Sequence, residues 1–231
     1  NEADKERIRA NLLRAISHDL RTPLTSIIGS SDSFTENYAA LSDQEKLDLV
    51  SSINEDSHWL LNMVENLLSI TRIQGDTGRV RKEDELVEEV VSEAITRIKK
   101  RIPDIEIHVT APDNILIIPM DPLLIEQVLM NLMENAFVHS KTNRPVELQI
   151  SEESDTITFH VIDYGKGIDE QTLPLILKGE YHVPKTSDTH RGMGIGLSIC
   201  NTIVQAHGGQ ISAHNHTHGA EFLFTLPKGD I

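Results

Sequence analysis

Apolar residues in the first third of the chain recur at helical spacing. Leu12, Ile16, Leu20, Leu24, Ile27 and Phe34 form one stripe, and Val50, Ile53, Leu60, Val64 and Leu67 form a second. The polar stretch 37–43 between them reads as a turn, and Ser42 followed by Glu45 has the pattern of a capping box opening the second helix. The spacing predicts an antiparallel helical hairpin over 1–74. Two helices that are each apolar along one face cannot bury both stripes alone. A homodimeric four-helix bundle would close that core, and a hairpin packed on the rest of the chain is the alternative.

Gln74-Gly75-Asp76-Thr77-Gly78 breaks the periodicity and marks a linker, set at 75–80, before a second domain over 81–231. There the pattern alternates between periods. A helix is expected over 85–101, with strands near 105–109 and 115–118. Asp121-Pro122, a cap followed by a first-turn proline, opens a helix over 123–139. Strands follow near 146–151 and 156–163, then a loop-rich stretch over 165–191, a helix over 195–206, and strands near 210–213 and 221–226. Alternating helices and strands would suit a doubly wound sheet. The two strand pairs, each joined by a short turn, instead favour a mixed sheet with helices on one face. The fold class is therefore multidomain, all-α followed by α+β.

Charge and composition narrow the chemistry. With 36 acidic against 21 basic side chains and a formal charge of -15, the 231-residue chain is a poor match to a nucleic-acid or anionic-membrane binder. No apolar run approaches the ~18 residues of a membrane span. The chain starts with Asn, as expected of a fragment of something longer, and membrane contact is not required of it. A single cysteine, Cys200, sits among Leu197, Ile199 and Ile203 and reads as a packing residue suited to a reducing compartment.

Within the first stripe, His18 lies two positions from both Ile16 and Leu20, roughly 200° around the helix from each, so it points away from the apolar face. Asp19 adjoins it and Thr22 lies one turn on. Pro23 removes a backbone donor and can bend the helix just beyond His18. Alone, such a histidine is an ordinary surface residue. In the second domain, Asn131 and Asn135 share a helical face one turn apart, suited to hydrogen bonding or to ordering a hydrated cation. Asp163-Tyr164-Gly165-Lys166-Gly167 ends a strand with an acid able to accept from an exocyclic amine, and with glycines that allow a tight turn against a flat ring. Gly192-Met193-Gly194-Ile195-Gly196-Leu197 runs directly into a helix, where backbone donors can receive phosphate. It is neither a dinucleotide fingerprint nor a P-loop.

In this order and spacing, these motifs resemble those of bacterial sensor histidine kinases along nearly the whole chain. His18 through Leu24 resembles the phosphoacceptor motif, Asn131 through Ala136 the N box, Asp163, Gly165 and Gly167 the first glycine box, and Gly192, Gly194, Gly196 and Leu197 the second. The Ser17–Thr25 run and the Leu197–Cys200 segment point toward the potassium-responsive sensors within that family. The resemblance implies a dimerisation and phosphotransfer hairpin followed by a GHKL (Bergerat-type) α/β sandwich that binds ATP with Mg2+. It also implies a response regulator that takes the phosphate onto an aspartate, and a place in the cytoplasmic portion of a membrane-bound sensor. By the family's pattern His18 is nucleophile and phosphoacceptor, Asp19 its general base, and Thr22 the residue that positions water for dephosphorylating the regulator. Asn135 coordinates Mg2+, Asn131 supports the phosphates, Asp163 reads adenine, and Glu134 either assists catalysis or simply faces solvent.

Two departures from the pattern stand out. Val138 and His139 occupy the positions where the family presents a basic residue and often an aromatic. His139, Lys166, Lys178, Lys185 or Arg191 must then supply positive charge to the phosphates. The lid carries Ile176 and Gly179 where a pair of phenylalanines is expected. Three competing readings remain: an ATPase or chaperone of the same nucleotide fold, a catalytically weak nucleotide-binding scaffold, and metal binding by His214, His216 and His218 with His207 nearby.

Overall fold

The computed structural model describes residues 2–73, 80–177 and 195–229; the side chains of 2–19, 62, 66–67, 69–73, 174–175 and 195 are not among what it describes. The chain divides into two compact units, Asn1–Leu68 and Ser69–Ile231.

The first unit is the expected hairpin, α1 (Glu2–Asn37) and α2 (Asp43–Ile73). Helix α1 stops where the backbone N–H groups of Ala40 and Leu41 turn back onto the Asn37 carbonyl at 2.8 and 3.1 Å. Helix α2 begins with the capping box in place. The Ser42 N–H and hydroxyl donate to the Glu45 carboxylate at 2.8 and 2.7 Å, and the Glu45 N–H donates to Ser42 Oγ at 3.3 Å. These bonds hold the Glu45 carboxyl below its ordinary pKa. Across the turn, Lys46 Nζ lies 4.5 Å from the centroid of the Tyr38 ring, which meets Phe34 edge-on. Pro23 stays within the helix and is buried. The apolar stripes divide in two: Leu20, Ile27, Phe34, Ile53 and Leu60 are half-buried, while Leu24, Ile28, Leu47, Val50, Leu61 and Val64 are exposed at 45–61%. The expectation for His18, Asp19, Leu12, Ile16 and Leu67 concerns side chains outside the described ones.

The second unit is a mixed sheet covered on one face by helices. In chain order it comprises β1 (Glu83–Leu86), α3 (Val87–Arg101), β2 (Ile107–Thr110), β3 (Ile117–Met120), α4 (Pro122–Ser140), β4 (Val146–Glu152), β5 (Thr156–Ile162), α5 (Leu173–Ile176), α6 (Ile195–Ala206), β6 (Ile211–His216) and β7 (Gly219–Pro227). Five strands run in the order β2-β4-β5-β7-β6, parallel between β2 and β4 and antiparallel elsewhere, while β1 and β3 form a separate ribbon. Inward residues alternate as period 2 demands. Val146, Leu148, Ile150, Ile157, Phe159, Val161, Phe222, Phe224 and Leu226 meet the buried faces of α3, α4 and α6 in one core, with Phe159 and Phe224 stacked at 4.6 Å.

The expected helix over 85–101 starts two residues later. The backbone of 83–86 is committed to β3, with Leu86 opposite Ile117, and the Val87 N–H donates to the Leu116 carbonyl at 3.0 Å. Glu88 and Glu89 at one end of α3 and Lys99, Lys100 and Arg101 at the other complement the helix dipole. Helix α4 opens as read, with Asp121 Oδ1 accepting from the Leu124 N–H at 3.2 Å and Pro122 in the first turn. It closes at Lys141, which takes a left-handed conformation. Helix α6 has the bounds expected of it.

Candidate functional site

Helix α4 is the spine of the site. Its middle is so buried that Glu126, Gln127 and Asn131 leave the surface together with Ile125, Val128, Leu129, Leu132 and Met133. Gln127 and Asn131 answer each other, while the buried Glu126 Oε2 makes no hydrogen bond among the described residues and meets only an ion-pair partner. Gln127 Nε2 donates to Asn131 Oδ1 at 3.3 Å. Glu126 lies 3.2 Å from Arg97 of α3; burial raises its pKa, and the guanidinium opposes that rise. Asn131 also hydrogen-bonds the Cys200 thiol of α6. Burial pushes that thiol up to about 12, so it is a packing group, as expected. On the same flank Asn131 Cγ is 3.9 Å from where a Cβ on Gly196 would lie, which brings the N box and the start of α6 together.

One turn on, Asn135 is half-exposed and its side chain makes no hydrogen bond among the described residues, so its carboxamide is available to a ligand. Glu134 points elsewhere, toward α3, where Arg101 engages its carboxylate in a half-buried ion pair. His139, a further turn along, has its pKa lowered by desolvation, with Asp163 pulling it upward and Lys166 and Lys141 adding to the lowering. The ring is exposed and lies near enough to the Asp163 carboxylate to feel its charge.

Asp163 follows the last residue of β5 and is 7% exposed. Its Oδ1 accepts from the Gly165 N–H at 2.8 Å, and its Oδ2 has no hydrogen-bond partner among the described residues. Gly165 is required to be glycine, because a Cβ there would stand 2.5 Å from Ser140 Cα and 2.8 Å from its carbonyl at the end of α4. Gly167 takes a positive φ of 74°. The turn after β5 thus rests directly on the C-terminal end of α4. Asn131, Asn135, His139, Asp163, Gly165, Gly167, Gly196 and Leu197, scattered over 67 positions of sequence, fall along one helix and its two flanks. Lys178, Arg191, Gly192 and Gly194, together with Lys185 and the lid position Gly179, lie outside the described residues, as do the side chains of His18 and Asp19. Thr22 is exposed on α1.

The histidines at the end of the chain do not converge on a metal. Among the described residues no group of three or more His, Cys, Asp or Glu side chains could hold one. His214 Nε2 lies 2.7 Å from Glu221 Oε2, whose other oxygen is 2.6 Å from His160 Nδ1. Burial alone would raise the Glu221 pKa, but these two contacts outweigh it and hold the carboxyl low. His216 Nε2 donates to the Asp163 carbonyl at 2.9 Å, and His218 contributes only its backbone N–H, 3.4 Å from His216 Nδ1. The contact between His216 and Asp163 joins the histidine patch to the site. Nothing local in the sequence signals it, since 53 residues separate the partners.

Comparison with known proteins agrees with this arrangement. Residues 8–76 match the His Kinase A (phospho-acceptor) domain, and residues 120–230 match the histidine kinase-, DNA gyrase B- and HSP90-like ATPase. The sensor protein KdpD of Clostridium acetobutylicum is 43% identical over 229 residues, 98% of this chain and 25% of that protein. The sensor protein KdpD of Escherichia coli K12 is 34% identical over 233 residues, again 98% of this chain and 25% of that protein. The chain thus spans about a quarter of the length of these relatives. Among solved structures, histidine kinase ThkA in complex with the response regulator protein TrrA superposes with a TM-score of 0.73 at 22% identity, covering 99% of this chain and 64% of that one. With a phospho-acceptor hairpin followed by an ATPase domain whose asparagines and Asp163-Gly165-Gly167 turn are gathered along one helix, the chain belongs to the sensor histidine kinases and comprises their kinase core.

Proposed function

We propose that this chain phosphorylates its own His18 from ATP and passes the phosphoryl group to an aspartate of a response regulator. The observation that carries the donor half is the buried Asp163 carboxylate, with one oxygen spent on its own loop and the other available beside α4, as recognition of an adenine amine requires. The boundaries are taken as 1–74 for the phosphotransfer hairpin, 75–80 for the linker and 81–231 for the ATP-binding domain.

In this reading a ring nitrogen of His18 attacks the γ-phosphorus of ATP, a nitrogen–phosphorus bond forms, and the bond to the ADP oxygen breaks. Asp19 holds the imidazole neutral and correctly oriented and receives its proton. Asn131 supports the phosphates. Asn135, whose carboxamide is unengaged, fits the single neutral ligand that a largely hydrated Mg2+ accepts, and the ion's contribution is to neutralise phosphate charge. His139, its pKa lowered, is a weak source of positive charge and leaves cationic help to Lys166, Lys178, Lys185 or Arg191. Glu134 is engaged by Arg101 of α3 and assists catalysis from that position. Thr22 positions water when the core dephosphorylates its regulator. The exposed apolar side chains of Leu24, Ile28, Val50 and Val64 support closure of the bundle by a second copy. We place the chain in the cytoplasmic portion of a membrane-bound sensor; no helix among the described residues is long and apolar enough to cross a membrane.

Incubation with γ-labelled ATP and Mg2+ tests the reading. Wild-type protein should carry an acid-labile, alkali-stable label that is lost in both His18→Gln and Asn135→Ala. A folded wild type that binds ATP yet takes no label would leave only a nucleotide-binding scaffold.

A further inference from the structure

The turn that follows β5 is gripped from outside the nucleotide site by the tip of the β6–β7 hairpin. Asn215 Oδ1 accepts from the Ile168 N–H at 2.7 Å, and Asn215 Nδ2 donates to the Ile168 carbonyl at 2.6 Å, so one carboxamide holds both backbone groups of a residue 47 positions away. His216 Nε2 donates to the Asp163 carbonyl at 2.9 Å. Its ring meets Tyr164 edge-on with centroids 5.7 Å apart. Because a carbonyl can only accept, the ring proton sits on Nε2, and the Nδ1 lone pair faces the His218 N–H at 3.4 Å. The Asp163 N–H donates to the Ala220 carbonyl at 2.9 Å. Backbones approach so closely here that a Cβ on Gly219 would stand 2.0 Å from the Asp163 carbonyl oxygen, and one on Gly167 2.8 Å from Asn215 Oδ1.

The hairpin has no need of these side-chain bonds for itself. Strands β6 and β7 pair through their backbones from Ile211 opposite Phe224 to His216 opposite Gly219. The carboxamide and the imidazole are spent on the segment 163–168, and they arrive at its two ends. We propose that Asn215 and His216 are positioning residues for nucleotide recognition: the hairpin tip holds the Asp163 carboxylate and the turn after it in the binding shape before ATP arrives. The inference rests on the reading of Asp163 as the acceptor for adenine. Without the clamp, the turn must be ordered at the moment of binding, which weakens affinity. The transfer step itself, once ATP is bound, is unaffected.

The test uses the full chain with Asn215→Ala, His216→Ala and His216→Gln, the last keeping an amide donor for the Asp163 carbonyl. ATP Kd by titration calorimetry, KM and kcat of autophosphorylation, and thermal melting are read on each, with Asp163→Asn in parallel. Loss of two ordinary hydrogen bonds should raise Kd and KM for ATP about 10-fold in Asn215→Ala and several-fold in His216→Ala. kcat at saturating ATP should stay within about twofold, and His216→Gln should recover most of the affinity. A purely structural role would lower the folded fraction, and with it apparent kcat, while leaving KM in place, and that pattern would overturn the proposal. So would unchanged Kd in both alanine variants. Should Asn215→Ala fail to fold, the His216 pair decides by the same criteria. If Asp163→Asn abolishes ATP binding while the alanine variants bind normally, the positioning role alone falls. If Asp163→Asn binds ATP as wild type does, the reading of Asp163 falls and takes the proposal with it.

Discussion

His207 offers a proton-linked test of the packing beneath the site. It is 1% exposed at the end of α6, with Nδ1 donating to the Ile203 carbonyl at 2.8 Å and Nε2 accepting from the Asp121 N–H at 3.1 Å. Its own carbonyl accepts from Lys82 Nζ at 2.7 Å. The imidazole therefore joins the end of α6 to the cap residue of α4 as one neutral tautomer. A second ring proton would point at the Asp121 N–H. Burial, foremost, lowers the His207 pKa, with the Lys82 charge adding to that and the Ile203 hydrogen bond and the negative charge of the Asp121 carboxylate opposing it. The folded pKa thus lies below the unfolded value of ~6.5, so in acid the unfolded chain binds the extra proton and the folded state loses stability as pH falls. Each pH unit below ~6.5 costs at most ~1.4 kcal/mol until the folded pKa is reached, so about 1.4 kcal/mol is the ceiling on the loss between pH 7.5 and 5.5. Replacing His207 by Gln keeps an acceptor for the Asp121 N–H and removes the titration. The difference between wild-type and His207→Gln stability should then shrink as pH falls over those two units, by no more than that ceiling, and taking the difference cancels the other histidines. Native-state hydrogen exchange of amides in α4, measured across the range, reads it directly. A difference that stays flat, or imidazole nitrogen shifts showing the proton on Nε2, would refute the reasoning.

Two further outcomes follow from close approach and from exposure. Gly165→Ala should lose measurable ATP binding and cost on the order of 1–3 kcal/mol of stability, because the new methyl meets backbone atoms of Ser140 at 2.5 and 2.8 Å; titration and melting check both. The double variant Val50→Glu and Val64→Glu should convert a dimer to a monomer by light scattering with helicity retained, since both side chains are exposed on α2; a dimer of undiminished strength would place the interface elsewhere.

Elements with a local cause were readable from the residues. Asp121-Pro122 dictates where α4 begins, Ser42 and Glu45 where α2 begins, and the apolar run from Ile195 carries α6. Strand β1 was not readable, because Glu83-Asp84-Glu85-Leu86 is poor strand material and is extended only by its pairing with β3. The apolar stripes predicted helices correctly but read as one face what the hairpin divides into two. At the site, the glycines and asparagines announced their chemistry by type and order. The histidine patch stayed open between a metal site and a solvated surface, because residue type alone cannot show that His214 is taken by Glu221 and His216 by a carbonyl 53 residues away. Glu134 presented the same difficulty, since its partner Arg101 belongs to another helix.

The single cysteine of the chain lies fully enclosed between α4 and α6, its sulfur 3.9 Å from the Val128 carbonyl and bonded by the same Asn131 that borders Gly196. A thiol so placed is chemically silent until those two helices part. The protein thereby contains a native reporter on the breathing of its nucleotide shelf: alkylation requires that opening, and no engineered label is needed to hear it.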